Sequence, residues 1–161
     1  MAESETTRAG FAAIIGAPNA GKSTLVNTLV GRKVSIVTPK VQTTRFQVRG
    51  VMMRDGAQVV LVDTPGVFNP RRRLDRAMVA AAWDGASDAD VIVHVVDAAA
   101  QLKGTARTAE DVDRVIEGLK THGLSAILVL NKIDLIRRDE LLAIAQSLHE
   151  TGVYGEVFMI S

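Results

Sequence analysis

Apolar runs of strand length alternate with amphipathic stretches of helix length along the chain. Phe11–Ile15, Val59–Val62, Val91–Val96 and Ala126–Leu130 are nearly continuous apolar segments, the pattern of strands covered on both faces in a parallel sheet. Phe46–Met53 alternates instead, with Phe46, Val48 and Val51 apolar, and leads into Asp55-Gly56. Asp-Gly between two strand-like runs marks a hairpin, so one antiparallel pair is predicted at the sheet edge. Helices are predicted over Ser23–Val30, Arg72–Trp83, Thr108–Thr121 and Arg138–Thr151. The third opens on Thr108-x-x-Asp111 and closes before Gly123, a capping pattern at one end and a glycine stop at the other. Val157–Ile160 is a sixth strand. The alternation predicts a three-layer α/β domain with right-handed crossovers, built on a mostly parallel six-stranded sheet. The chain stops at Ser161 with no helix to cover the sixth strand, the pattern of a domain cut short there.

Composition narrows the class. The chain has 161 residues, 47% of them hydrophobic and 23% charged, enough for one globular domain and too apolar for disorder. The polar head, residues 1–10, is expected to be flexible, and residues 11–161 to form the domain. Nineteen Lys and Arg against 18 Asp and Glu leave a net charge of +1, without the basic excess of a domain that lives on phosphate-backbone contacts. There is no Cys, hence no disulfide frame, thiolate nucleophile or zinc finger. No apolar run approaches the roughly 18 residues of a membrane helix, and Phe11–Ile15 is too short for a signal-peptide core. A soluble, cytoplasmic domain is expected.

Three segments carry chemistry. Gly16-Ala17-Pro18-Asn19-Ala20-Gly21-Lys22-Ser23, followed by Thr24, fits the phosphate-loop pattern between a buried strand and a helix. The loop amides and the helix N-terminus would hold a phosphate chain. Lys22 would reach the β- and γ-phosphates, and the Ser23 hydroxyl would ligate Mg²⁺. Asp63-Thr64-Pro65-Gly66 follows a strand, where Asp63 can hold the same Mg²⁺ through water and the Gly66 N–H can face the γ-phosphate. Asn131-Lys132-Ile133-Asp134 follows another strand. A carboxylate at Asp134 accepts from N1–H and the exocyclic amine of guanine, and adenine would leave it unpaired. Together the three predict a site for GTP and GDP.

These motifs resemble those of the translation-factor class of GTPases, which are Ras-like in core fold. Gln42-Thr43-Thr44-Arg45, within the segment Val34–Arg45, is similar to the first switch of bacterial Era GTPases. The phosphate-loop form and Asp-Thr-Pro-Gly-Val suit that family too. The relatives Der and MnmE share those forms, but their switches usually read Thr-Arg-Asp, whereas Phe46 follows Arg45 here. The resemblance covers Phe11 to Ser161. It implies a GTP-hydrolysing switch in small ribosomal subunit assembly, acting with the subunit's rRNA through a C-terminal KH domain that this sequence lacks. It also implies a peripheral association with the inner face of the cell membrane, for which the chain offers no amphipathic segment. The family's Ser-Ala-x motif at the guanine is represented by Ser161 alone, and the fragment is expected to be monomeric.

For phosphoryl transfer the assignment is Lys22 and the loop amides to charge neutralisation, with Ser23 and Thr44 as metal ligands; Thr43 competes with Thr44. Val67 stands where Ras-like enzymes place a water-orienting Gln, so hydrolysis is expected to be slow or to be completed by another group. Asn19 either helps bind a K⁺, as in related GTPases with the Pro-Asn form, or only tolerates a tight turn. The readings left open are a slow GTPase and a nucleotide-gated binding module with negligible turnover. Arg71, Arg72, Arg73 and Arg76 are read as a solvated charge cluster. His94 is read as a satisfied core residue, His122 and His149 as helix-end surface residues, and Met78, Val79 and Trp83 as packing.

Overall fold

The computed structural model describes residues 8–17, 19–30, 47–63 and 73–161. In chain order these form β1 (Arg8–Gly16), α1 (Lys22–Leu29), β2 (Gln47–Arg54), β3 (Ala57–Asp63), α2 (Arg73–Asp88), β4 (Val91–Asp97), α3 (Ala98–Lys103), α4 (Ala106–Thr121), β5 (Ala126–Asn131), a 3₁₀ turn (Ile133–Leu135), α5 (Arg138–His149) and β6 (Tyr154–Met159). The strands make one sheet in the order β2-β3-β1-β4-β5-β6. Only β2 and β3 are antiparallel, joined through Asp55 and Gly56, which both take positive φ. This is the hairpin that Asp-Gly predicts. The remaining ladders are parallel, so the carboxyl ends of β1, β3, β4 and β5 meet at one edge of the sheet.

The sheet is covered on both faces because the two sets of alternate side chains are both apolar. On one face Ala13, Ile15, Val60, Val62, Leu128 and Leu130 pack against Trp83 of α2 and Val115 and Leu119 of α4. On the other, Ala12, Ile14, Leu61 and Val129 meet Val26 of α1. A β-carbon on Gly118 would lie 2.1 Å from the indole of Trp83, so α4 approaches α2 closely at that glycine.

Boundaries differ from the sequence pattern in instructive places. The ladder begins at Arg8, with Arg8, Ala9 and Gly10 opposite Ala57, Gln58 and Val59, so residues 8–10 belong to the sheet and not to a flexible head. Helix α4 starts at Ala106 with Thr105 as its cap residue, and Thr108 sits one turn inside, its hydroxyl 2.7 Å from that of Thr105. Asp111 is buried in the helix body. Helix α2 runs on to Asp88, and α3 has no counterpart in the prediction. Its Ala-rich turn directly follows a buried strand, and periodicity cannot separate the two. Strand β6 begins at Tyr154, three residues early, and its Phe158 and Met159 are 50% and 39% exposed.

His94 is buried, as its place in β4 predicts, and its Nδ1 lies 2.7 Å from the Tyr154 hydroxyl. Burial, and secondarily the charge of Lys22, lower its pKa to about 3. His122 caps the C-terminus of α4 and stacks on Trp83 at 5.4 Å, and His149 ends α5, exposed.

Candidate functional site

The phosphate loop leaves β1 at Gly16 and enters α1 at Lys22. Two of its glycines are required sterically. A β-carbon on Gly16 would stand 2.6 Å from the Val95 carbonyl oxygen, and one on Gly21, where φ is +102°, would stand 2.0 Å from the Asn131 carboxamide nitrogen. Asn19 also takes a positive φ, 66°, one of the few residue types that tolerates it. The Lys22 ammonium donates to the carbonyls of Gly16 (2.5 Å) and Ala17 (3.0 Å), so it lies over the loop in the concavity formed by the backbone. Ala20 is buried, and Ser23 and Thr24 in the first turn of α1 are exposed.

Ser23 and Lys22 line a cavity of about 160 Å³ with Ile14, Val26, Asn27 and Arg49. Ile14 is the register partner of Asp63 at the end of β3, which puts the Asp63 backbone on the strand adjoining this cavity. Ser23 offers an exposed hydroxyl there, a hard-oxygen donor of the kind Mg²⁺ takes. Arg49 was not singled out by the motif reading, since a lone arginine on an alternating strand has no motif around it.

At the end of β5, Asn131 is buried and its amide donates to the Ala20 carbonyl at 3.0 Å. Lys132 turns the chain through a left-handed conformation, φ 60°, and its ammonium donates to two oxygens: the Asn19 carbonyl at 2.8 Å and Asp97 Oδ2 at 2.7 Å. The carboxylate of Asp97 also caps α3, accepting from the Ala100 N–H at 2.9 Å. Partial burial opposes ionisation of Asp97, but the Lys132 hydrogen bond, the α3 amides and the Lys132 charge outweigh it and hold its pKa below the ordinary carboxylate value. Asp134 is exposed in the 3₁₀ turn. The Ile133 N–H donates to the Ile160 carbonyl and the Ile160 N–H to the Leu130 carbonyl, so Ser161 follows directly beside the Asn131–Asp134 segment.

The structure thus brings Gly16, Ala17, Asn19, Ala20, Gly21, Lys22, Ser23, Asn131, Lys132, Asp134 and Ser161 to one edge of the sheet. Pro18, Thr43, Thr44, Thr64, Pro65, Gly66, Val67, Arg71 and Arg72 lie outside the described residues, as do the side chains of Asp63, Arg73, Arg76, Met78 and Val79. Asp97, like Arg49, is a residue that motif reading missed. Its signal was its place: like Asp63 and Asn131, it ends a buried strand at the same edge.

A family profile described as "50S ribosome-binding GTPase" matches residues 11–132. The chain belongs to that GTPase family. Among its curated relatives, GTPase Era of Maricaulis maris is 65% identical over 96% of this chain and 52% of the relative, and GTPase Era of Caulobacter vibrioides is 63% identical over the same shares. A variant of Aquifex aeolicus Era bound to GDP and AlF4⁻ superposes with a TM-score of 0.66 at 36% identity, covering 96% of this chain and 51% of that one. Era in complex with MgGDPNP and nucleotides 1506–1542 of 16S ribosomal RNA gives 0.68 at 37% identity over 96% and 51%. The Ras-like α/β fold of this GTPase family and the resemblance to Era are therefore established, and the chain spans about half the length of the curated relatives it matches. Among the described residues, no helix is long and apolar enough to cross a membrane.

Proposed function

We propose that residues 8–161 form the GTP-binding domain of an Era-type switch that binds GTP and GDP and hydrolyses GTP to GDP and phosphate. The observation that carries this is the convergence of the phosphate loop and the Asn131–Asp134 segment at one sheet edge, tied by Asn131 to Ala20 and by Lys132 to Asn19. A site built this way holds the triphosphate and the base at a fixed separation.

Lys22 and the loop amides neutralise phosphate charge, Asp134 accepts from guanine, and Ser161 borders the base. Ser23 and Thr44 directly, and Asp63 through water, would hold Mg²⁺, which would supply neutralisation of phosphate charge. The Gly66 N–H is assigned to the γ-phosphate, with Thr64 and Pro65 beside it in sequence as nucleotide-binding residues. The carbonyl of Asn19 is engaged by Lys132, which leaves its side chain as the group to contact a K⁺. Val67 has no polar atom to orient water, so unassisted turnover is slow. The Era names of the relatives favour this reading over a Der- or MnmE-type enzyme. A role in small-subunit assembly with its rRNA, in the cytoplasm, follows by likeness to Era and is proposed for the longer protein.

The deciding experiment titrates the chain with fluorescent GDP in Mg²⁺, competing with ATP, beside Asp134→Asn. Binding that ATP does not displace, with the variant turning to xanthine nucleotides, supports the reading, because an Asn amide can donate to the xanthine carbonyl. Displacement by ATP overturns it. Release of γ-phosphate in K⁺ but not Na⁺ would support the Asn19 assignment, and no release in either salt would reduce the chain to a nucleotide-gated binding module.

A further inference from the structure

We infer that Asp97 is a positioning residue for nucleotide binding, acting through Lys132 to lock the base-side loop to the phosphate loop. The inference rests on the GTP-site reading above and adds a residue to it. Asp97 is the β4 register partner of Asn131, so its side chain leaves the sheet edge beside the residue that precedes Lys132. Its two oxygens do separate things. Oδ1 accepts from the Ala100 N–H and fixes the carboxylate to the start of α3, and Oδ2 accepts from the Lys132 ammonium at 2.7 Å.

A lysine on a left-handed residue at a loop tip has many rotamers, and holding its ammonium at one point costs entropy. Asp97 removes that freedom, its carboxylate being already immobilised and only 18% exposed. The ammonium so held can donate to the Asn19 carbonyl at 2.8 Å. One charged group then joins the phosphate loop, the β4–α3 junction and the base-side loop. Base and phosphate subsites consequently stay at one spacing. Without the carboxylate, Lys132 is free to swing out, and a bound nucleotide can lose one end before the other.

The test separates the charge from the cap. Asp97→Asn keeps an oxygen for the Ala100 N–H, since Asn caps helices as well as Asp does, but removes the charge facing Lys132. Dissociation of fluorescent GDP is followed by stopped flow in the chain as it stands, in Asp97→Asn, in Lys132→Met and in the double variant. Coupled neighbours are non-additive, so Asp97→Asn is expected to speed release by about tenfold alone and by less than about twofold in the Lys132→Met background. Equal acceleration in both backgrounds would mean that Asp97 acts only by supporting α3, and no acceleration in either would mean that the pair does not hold the loops; each overturns the inference. If the unaltered chain does not bind GDP, the GTP-site reading fails and this inference with it. Binding with a strictly multiplicative cycle sinks this inference alone.

Discussion

Gly16 and Gly21 show how tightly single positions are specified around the phosphate loop. The β-carbon that alanine would add at Gly21 falls on the Asn131 carboxamide, and the backbone there is left-handed. Steric and conformational penalties combine, so Gly21→Ala is expected to destabilise the fold by about 2–4 kcal/mol and to cut nucleotide affinity at least tenfold. Urea unfolding and GDP titration check the two parts. His94 makes a prediction about acidity. Unfolded, it titrates near 6.5; folded, it is held near 3 by burial and by Lys22. Between those values the unfolded chain binds a proton that the folded chain refuses, so stability is full above pH 6.5 and falls as pH drops. The loss is about 1.4 kcal/mol per unit, or about 2 kcal/mol by pH 5. His94→Gln should lose about 2 kcal/mol less than the parent between pH 7.5 and 5 in urea unfolding. Equal losses would show that another group carries the effect.

At the scale of elements, α2 and α4 touch where Gly118 lets the Trp83 ring lie against the helix backbone. Alanine at 118 favours the helix by about 1 kcal/mol, but its methyl would enter the ring. Overpacking wins, and Gly118→Ala is expected to cost about 1–3 kcal/mol net and to shift Trp83 emission. The double variant with Trp83→Leu should recover most of that relative to Trp83→Leu alone. The core strands were legible in the sequence because each is apolar on both faces, and the hairpin because Asp55-Gly56 has few alternatives. Helix α3 was not, because Ala98, Ala99 and Ala100 extend an apolar run without a period of their own. The start of α4 was misplaced because Thr105 and Thr108 both suit a cap and only the turn geometry chooses. The phosphate loop and Asn131–Asp134 were readable as local strings. The Asp97–Lys132–Asn19 bridge was not, since it joins residues far apart in sequence that become neighbours only when β4 and β5 pair.

For the whole molecule, the parallel strands deliver their carboxyl ends to one edge, and a nucleotide in the proposed site would touch segments from both halves of the chain. It should therefore stabilise the global fold and not one loop. At a hundredfold excess over its Kd, GDP is expected to add about 2.7 kcal/mol, seen as a rise in the unfolding midpoint. EDTA should remove most of that gain if Ser23 helps hold Mg²⁺, and an unchanged midpoint would place the metal outside the binding energy.

The brace from Asn131 to Ala20 spans 111 residues, and this has a meaning for the nascent chain. The ribosome finishes the phosphate loop early and makes its brace much later. At about 5–20 residues per second, the interval is roughly 6–22 s. Throughout that time the loop lacks the strand that props Gly21 and Ala20, so a half-made chain has the motif without the site. If the proposed site is right, capture of nucleotide waits for β5, and a bound nucleotide would mark that synthesis has passed that strand.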